Sequence, residues 1–139
     1  MNLKDIKKFF NNRDRFAAYN DIRLLSVQEG KAVAEMTVNE NHMNGADVVH
    51  GGALFTLADF AFAAAANSHG TFSLAIDVSI QFVKAASGGV LTAEAEEMTR
   101  NSKLSSCRVT VFDESGDIVA VFLGLAYRKS IPLPLKPDV

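Results

Sequence analysis

Residues 51–68, GGALFTLADFAFAAAANS, contain a single charged side chain, Asp59. A run of this length admits a strand, a membrane span or a helix. Six alanines in the eleven positions 58–68, the lack of a β-branched run and the central carboxylate favour a helix inside a soluble domain. Its apolar residues face every direction. A helix with no polar face has to be covered on most sides, and in a chain of 139 residues the covering that fits is a curved sheet wrapped round it.

The rest of the chain supplies that sheet. Residues 22–27 and 32–38 read as two strands joined by the turn Gln28-Glu29-Gly30-Lys31, where Gly30 takes dihedrals that other residues avoid. Further on, Leu74, Ile76, Val78, Ile80 and Phe82 alternate with Ala75, Asp77, Ser79, Gln81 and Val83. Residues 90–99, 104–112 and 118–127 continue the pattern between turns at Ser87-Gly88-Gly89, Arg100-Asn101-Ser102 and Glu114-Ser115-Gly116-Asp117. Residues 39–49 are polar and without a period, hence a loop. Residues 3–16 space Leu3, Ile6, Phe9, Phe10 and Phe16 as one short helix on the domain edge, and residues 131–139, with three prolines, are expected as an exposed extension. The fold class is therefore α+β, a long central helix wrapped by a curved antiparallel sheet of five to six strands. That layout is the hotdog fold, in one domain over residues 1–139.

Composition narrows the partners. Fourteen Lys and Arg against 16 Asp and Glu leave a net charge of −2, which gives no reason to expect nucleic acid. The N-terminus mixes both charge signs and has no apolar h-region, so the chain is expected in the cytoplasm, with no membrane partner. One cysteine, Cys107, in a strand-like run reads as a small core residue. Three histidines without matching carboxylate spacing give no metal site, and His42 and His69 are expected to be structural or exposed.

Asp59 needs a reason. A carboxylate in an apolar helix costs several kcal/mol unless it is paired, hydrogen-bonded or protonated, so it serves either a structural contact or chemistry. Gly51 and Gly52 at the helix start would leave bare N–H groups where the helix dipole favours negative charge. His50 beside them either satisfies backbone groups or orients a carbonyl.

With Asn44 six residues before His50-Gly51-Gly52 and Asp59 eight residues after Gly51, the run from Met43 to Gly70 resembles the hotdog thioesterases of the phenylacetate-degradation type. Ala63 stands where related enzymes that use Glu carry Ser or Thr one turn later, so the chain resembles the Asp-type group. The resemblance implies an acyl-coenzyme A thioesterase in which Asp59 attacks the thioester carbonyl or activates water. The Gly51 amide polarises that carbonyl, and Asn44 and His50 help to position the reacting groups. It implies aryl-acyl (hydroxyphenylacetyl-like) or medium-chain fatty acyl substrates, the coenzyme being part of the substrate and no cofactor being needed. A noncatalytic acyl-coenzyme A sensor is the alternative. Gly52, Phe60, Ala63 and Phe82 are candidate substrate contacts, with Phe62 as a further pocket residue. Lys84, Arg100 and Lys103, with Arg128 and Lys129, are candidates for the phosphates. Eight residues of helix separate Gly51 from Asp59 by about 12 Å, so a two-fold axis setting two helices antiparallel would unite Gly51 of one protomer with Asp59 of its partner. A homodimer is the expected minimal unit, and the resemblance extends this to a homotetramer.

Overall fold

The alanine-rich segment forms a helix, α3 (Gly51–Ala66), and all six strands of one sheet touch it. The computed structural model describes residues 2–135. Ahead of α3 come α1 (Leu3–Arg13), α2 (Arg15–Tyr19), β1 (Ile22–Gln28), β2 (Lys31–Thr37) and a 3-10 turn (Glu40–His42). After it follow β3 (Thr71–Phe82), β4 (Val90–Arg100), β5 (Leu104–Phe112) and β6 (Ile118–Pro132). Every pairing is antiparallel, in the order β1-β2-β4-β5-β6-β3.

Period-two alternation decides what faces the helix. Ala32, Ala34 and Met36 of β2, Leu91, Ala93 and Ala95 of β4, Cys107, Val109 and Val111 of β5, and Ala120, Phe122 and Ala126 of β6 are all buried. Alanine on β2 and β4 lets α3 lie close to the sheet on that side. On the other side Phe62 packs on Phe122 with ring centroids 5.6 Å apart, and Gly124 makes the room: a Cβ there would lie 2.8 Å from the Phe62 ring. Each fully buried Leu, Val or Phe contributes about 1.5–3 kcal/mol, so this interface dominates the stability. Cys107 sits in it as a core residue, its thiol pushed up to about 12 by burial and then by the negative Glu97.

Three features depart from the sequence reading. The N-terminal helix expected over residues 3–16 is two helices, broken at Asp14, whose backbone is extended and whose carboxylate Oδ1 accepts the Ala17 N–H at 2.9 Å to start α2. The strand after α3 does not pair with its successor: β3 crosses to the far edge and lies beside β6. The tail is not simply an extension, because β6 runs on through Arg128 to Pro132, which pairs with Thr71, and the buried Leu133 donates its N–H to Gly70 O at 2.8 Å. Pro132 is tolerated because its missing N–H falls beyond the end of β5, where no ladder partner is lost. Residues 136–139 of that tail lie outside the described residues.

Candidate active site

Two stretches of loop set the start of α3. Asn44 folds residues 44–48 into a tight turn, its Oδ1 accepting the N–H groups of Ala46 at 2.8 Å and Val48 at 3.3 Å. His42 is buried and structural: Nδ1 accepts the Asn39 N–H at 3.0 Å while Nε2 lies 2.8 Å from Asn20 O, an arrangement that puts the proton on Nε2. His42 O in turn accepts the His50 N–H at 2.7 Å, and Ala86 O accepts that of Val49, also at 2.7 Å. The helix start is thereby tied to two parts of the chain.

His50 is the N-cap of α3. Its Nδ1 accepts the Gly52 N–H at 2.8 Å, so Gly52 has no bare donor, contrary to the expectation for this residue. The Gly51 N–H is different: it finds no acceptor among the described residues. It opens onto a 350 Å³ cleft whose walls include Asn44, Val48, Leu54, Phe82 and Lys84. Phe82, 53% exposed at the end of β3, lies so close over Gly51 that a Cβ there would sit 3.0 Å from its ring. A bare N–H at a helix N-terminus under an aromatic wall is a place for a carbonyl oxygen gaining negative charge.

Asp59 lies two turns further along. One face of α3 is left only partly covered by the sheet, and Gly52, Phe55, Thr56, Asp59 and Ala63 follow one another along it at helical spacing. Asp59 makes no hydrogen bond within the described chain, and its carboxyl is held above the ordinary carboxylate range, first by burial and second by the negative charge of Asp14. Such a carboxylate is a better base and nucleophile than one in water.

The structure sorts the remaining candidates. Phe60, placed among the substrate contacts by sequence, is 3% exposed and meets Phe10 edge-on at 6.0 Å; it packs α1 onto α3 and does not reach the Asp59 face. Phe62 is likewise in the core. Ala63 does lie one turn beyond Asp59 on the open face. Lys84 lines the cleft, but its Nζ is already shared by Asp113 at 2.8 Å and Asp117 at 2.7 Å, which leaves little charge for a phosphate. Arg128 is 8% exposed and holds the β4–β5 turn through Asn101 O and Ser105 Oγ, a structural task. Arg100, Lys103 and Lys129 are exposed near that same turn. Along β6 it lies about 26 Å from Ala120, the residue paired with Phe82. Sequence reasoning missed Phe55, whose signal was its helical spacing from Asp59, and Asp14, which no local pattern marks. Among the described residues there is no cluster able to hold a metal ion, and no helix is long and apolar enough to cross a membrane.

Residues 46–120, more than half of the chain, from just after Asn44 through α3 and β3–β5 into the start of β6, match the thioesterase superfamily. The chain belongs to that family. A relative from Archaeoglobus fulgidus is 40% identical over 133 residues, 95% of this chain and 86% of its own. The acyl-coenzyme A thioesterase PaaI of Escherichia coli is 36% identical over 108 residues, 77% of each. The solved structure of the E. coli PaaI protein from the phenylacetic acid degradation operon superimposes with a TM-score of 0.88 at 30% identity, over 94% of this chain and 97% of that one. The TT0310 protein of Thermus thermophilus does so with 0.80 at 32% identity, over 84% and 99%. This thioesterase is thus a PaaI-like thioester hydrolase with the hotdog fold.

Proposed function

We propose that this thioesterase hydrolyses acyl-coenzyme A to the free acid and coenzyme A, in the cytoplasm, with aryl-acyl groups of the hydroxyphenylacetyl kind as first substrates and medium-chain fatty acyl groups as second. The observation that carries the reading is the pair of unsatisfied groups on α3, the Gly51 N–H at its start and the Asp59 carboxylate on its open face. The E. coli relative, named as an acyl-coenzyme A thioesterase, supports the choice of thiol.

One helix holds these groups about 12 Å apart, too far for one carbonyl. β3 is an edge strand with one side unpaired, and Leu74 and Ile76 stand exposed on it. A second copy related by a two-fold axis along that edge continues the sheet. The same axis lays the open faces of two α3 helices side by side in opposite directions, so that the partner's Asp59 meets the Gly51 of the first protomer. There the carbonyl oxygen takes the Gly51 N–H. The partner's ionised Asp59 either removes a proton from the attacking water or attacks the carbonyl itself, giving an anhydride that water then opens. The C–S bond breaks and the thiolate leaves with a proton. The antiparallel arrangement also turns the partner's Arg100 and Lys103 from the far end of the sheet toward this cleft, a better source of phosphate contacts than the neutralised Lys84. On the outer face of β6, Val121, Leu123, Leu125 and Tyr127 make an apolar stripe that a second dimer covers to give the tetramer.

A panel of aryl- and fatty-acyl-coenzyme A esters, followed by release of free thiol, tests the substrate class. Hydrolysis of aryl-acyl members with the highest kcat/KM is expected; turnover of none would overturn the reading. Buried Cys107 stays out of the thiol signal while the protein is folded.

A further inference from the structure

Of the five residues along the open face of α3, Gly52, Phe55, Thr56, Asp59 and Ala63, only Phe55 is large and apolar. Its ring meets Phe122 of β6 edge-on with centroids 5.6 Å apart, and Phe122 is itself fully buried and packed on Phe62. The inner side of the ring is thus fixed on the core, while 37% of the residue faces outward. Gly52 and Ala63 offer little surface, and the Thr56 hydroxyl is turned back onto Gly52 O at 2.8 Å. Phe55 is left as the one side chain of this face with a broad surface for an acyl group.

Its place on the helix is just as specific. Phe55 is four residues from Gly51 and four from Asp59, about 6 Å along the axis from each, and at about 100° per residue its direction bisects theirs. The lean of helical side chains toward the N-terminus shifts the ring and the Asp59 carboxylate alike, so the order along the face is kept. Antiparallel helices that set residue 51 against residue 59 also set residue 55, their midpoint, against its own copy.

We propose that Phe55 lies where the two α3 helices cross, and that its ring and the partner's Phe55 form one aromatic wall shared by both acyl sites, the specificity-determining contact for aryl-acyl groups. The crossing rests on the two-fold site proposed above, and the specificity on the reaction proposed there. A carbonyl held at the Gly51 N–H has one of these rings a turn further along the same helix and the other a turn before the partner's Asp59. An aryl group gains from offset or edge-on contact with such rings beyond what burial gives, whereas a fatty acyl chain gains from burial alone.

Two variants test the two parts. Phe55→Cys puts a thiol at the crossing, and a short bis-maleimide should join the protomers into a covalent dimer on a denaturing gel. Thr56→Cys, the next residue on the same face, replaces it if a thermal melt shows the first to be unfolded. Wild type is one control, since Cys107 is buried with its thiol pushed up to about 12. Lys8→Cys is the other: exposed on α1 beside β1, the edge strand opposite β3, it should stay uncoupled. No covalent dimer from the folded variant, or as much from Lys8→Cys, would overturn the crossing. Phe55→Leu keeps an apolar branch against Phe122 and removes the ring. The ratio of kcat/KM for an aryl-acyl over a fatty acyl-coenzyme A ester should fall on the order of 2- to 10-fold, a change of preference that a general loss of folded protein does not produce. An unchanged ratio would overturn the specificity role. If the covalent dimer does not form while Gly51 and Asp59 variants complement each other, the shared site stands and the placement of Phe55 is wrong. If wild type hydrolyses neither ester, the reaction falls and the specificity role with it, while the cross-link still decides the crossing.

Discussion

At the scale of single residues the site is defined by which polar groups lack a partner. Of the two glycines that begin α3, only Gly51 keeps its N–H free, because His50 turns its ring back to take the neighbouring donor. Asp59 is the matching group: a carboxylate kept partly from water, with no compensating hydrogen bond. Asp59→Asn keeps the shape and removes the charge, and kcat should fall on the order of 100-fold or more in the thiol-release assay. The same variant should be more stable at neutral pH. The carboxyl is raised in the folded protein above its value of 3.8 in the unfolded chain, so the ionised group disfavours folding fully above the folded midpoint and not at all below the unfolded one. The melting temperature of Asp59→Asn should therefore exceed that of wild type by a few degrees at neutral pH, with the difference closing as pH falls through that window. The residue spacing in the sequence marked Asp59 and Gly51 because an uncompensated charge and a Gly-Gly pair stand out in an apolar run. It could not show that His50 takes the Gly52 N–H or expose Phe60 as core, since those depend on a ring orientation and on which side of the helix α1 packs.

Elements were legible to the extent that their periods are local. Each strand appears within a few residues of where alternation places it, and α3 ends at Ala66 as the alanine run does. What alternation does not encode is pairing order. The placement of β3 beside β6 follows from α3 crossing the sheet between β2 and β3, a long-range consequence of burying an all-apolar helix. The break at Asp14 was hidden for a related reason: apolar spacing continues across it to Phe16, and only the extended backbone of Asp14 turns the chain. Gly124 shows how tightly the helix is held. Its missing side chain is filled by the Phe62 ring, which is itself wedged against Phe122 and cannot swing away. Gly124→Val should destabilise the fold by about 1–3 kcal/mol, read as a lower denaturant midpoint with an unchanged m-value.

At the scale of the whole molecule the proposed reaction needs two protomers: the Gly51 donor and the Asp59 carboxylate are about 12 Å apart along α3, and the edge of β3 is open. Under the proposed two-fold axis both gaps close, which makes a sharp test possible. Gly51→Pro deletes the free N–H at a first-turn position where proline fits the helix, and no hydrogen bond of the fold is lost with it. The added ring carbons press on Phe82, but that ring is more than half exposed and can move aside, and a thermal melt checks that the variant is folded. Asp59→Asn deletes the other half of the site. Each variant alone should be inactive, with both of its sites defective. When equal amounts are mixed and subunits are exchanged, half of the dimers are mixed, and each mixed dimer carries one site with both defects and one with neither. Activity should then recover to about one quarter of wild type, following the rate of subunit exchange measured independently by native mass spectrometry of a mass-labelled partner. If exchange is complete and activity stays at the level of the separate variants, both groups act on the carbonyl from within one chain, and the shared two-fold site is wrong.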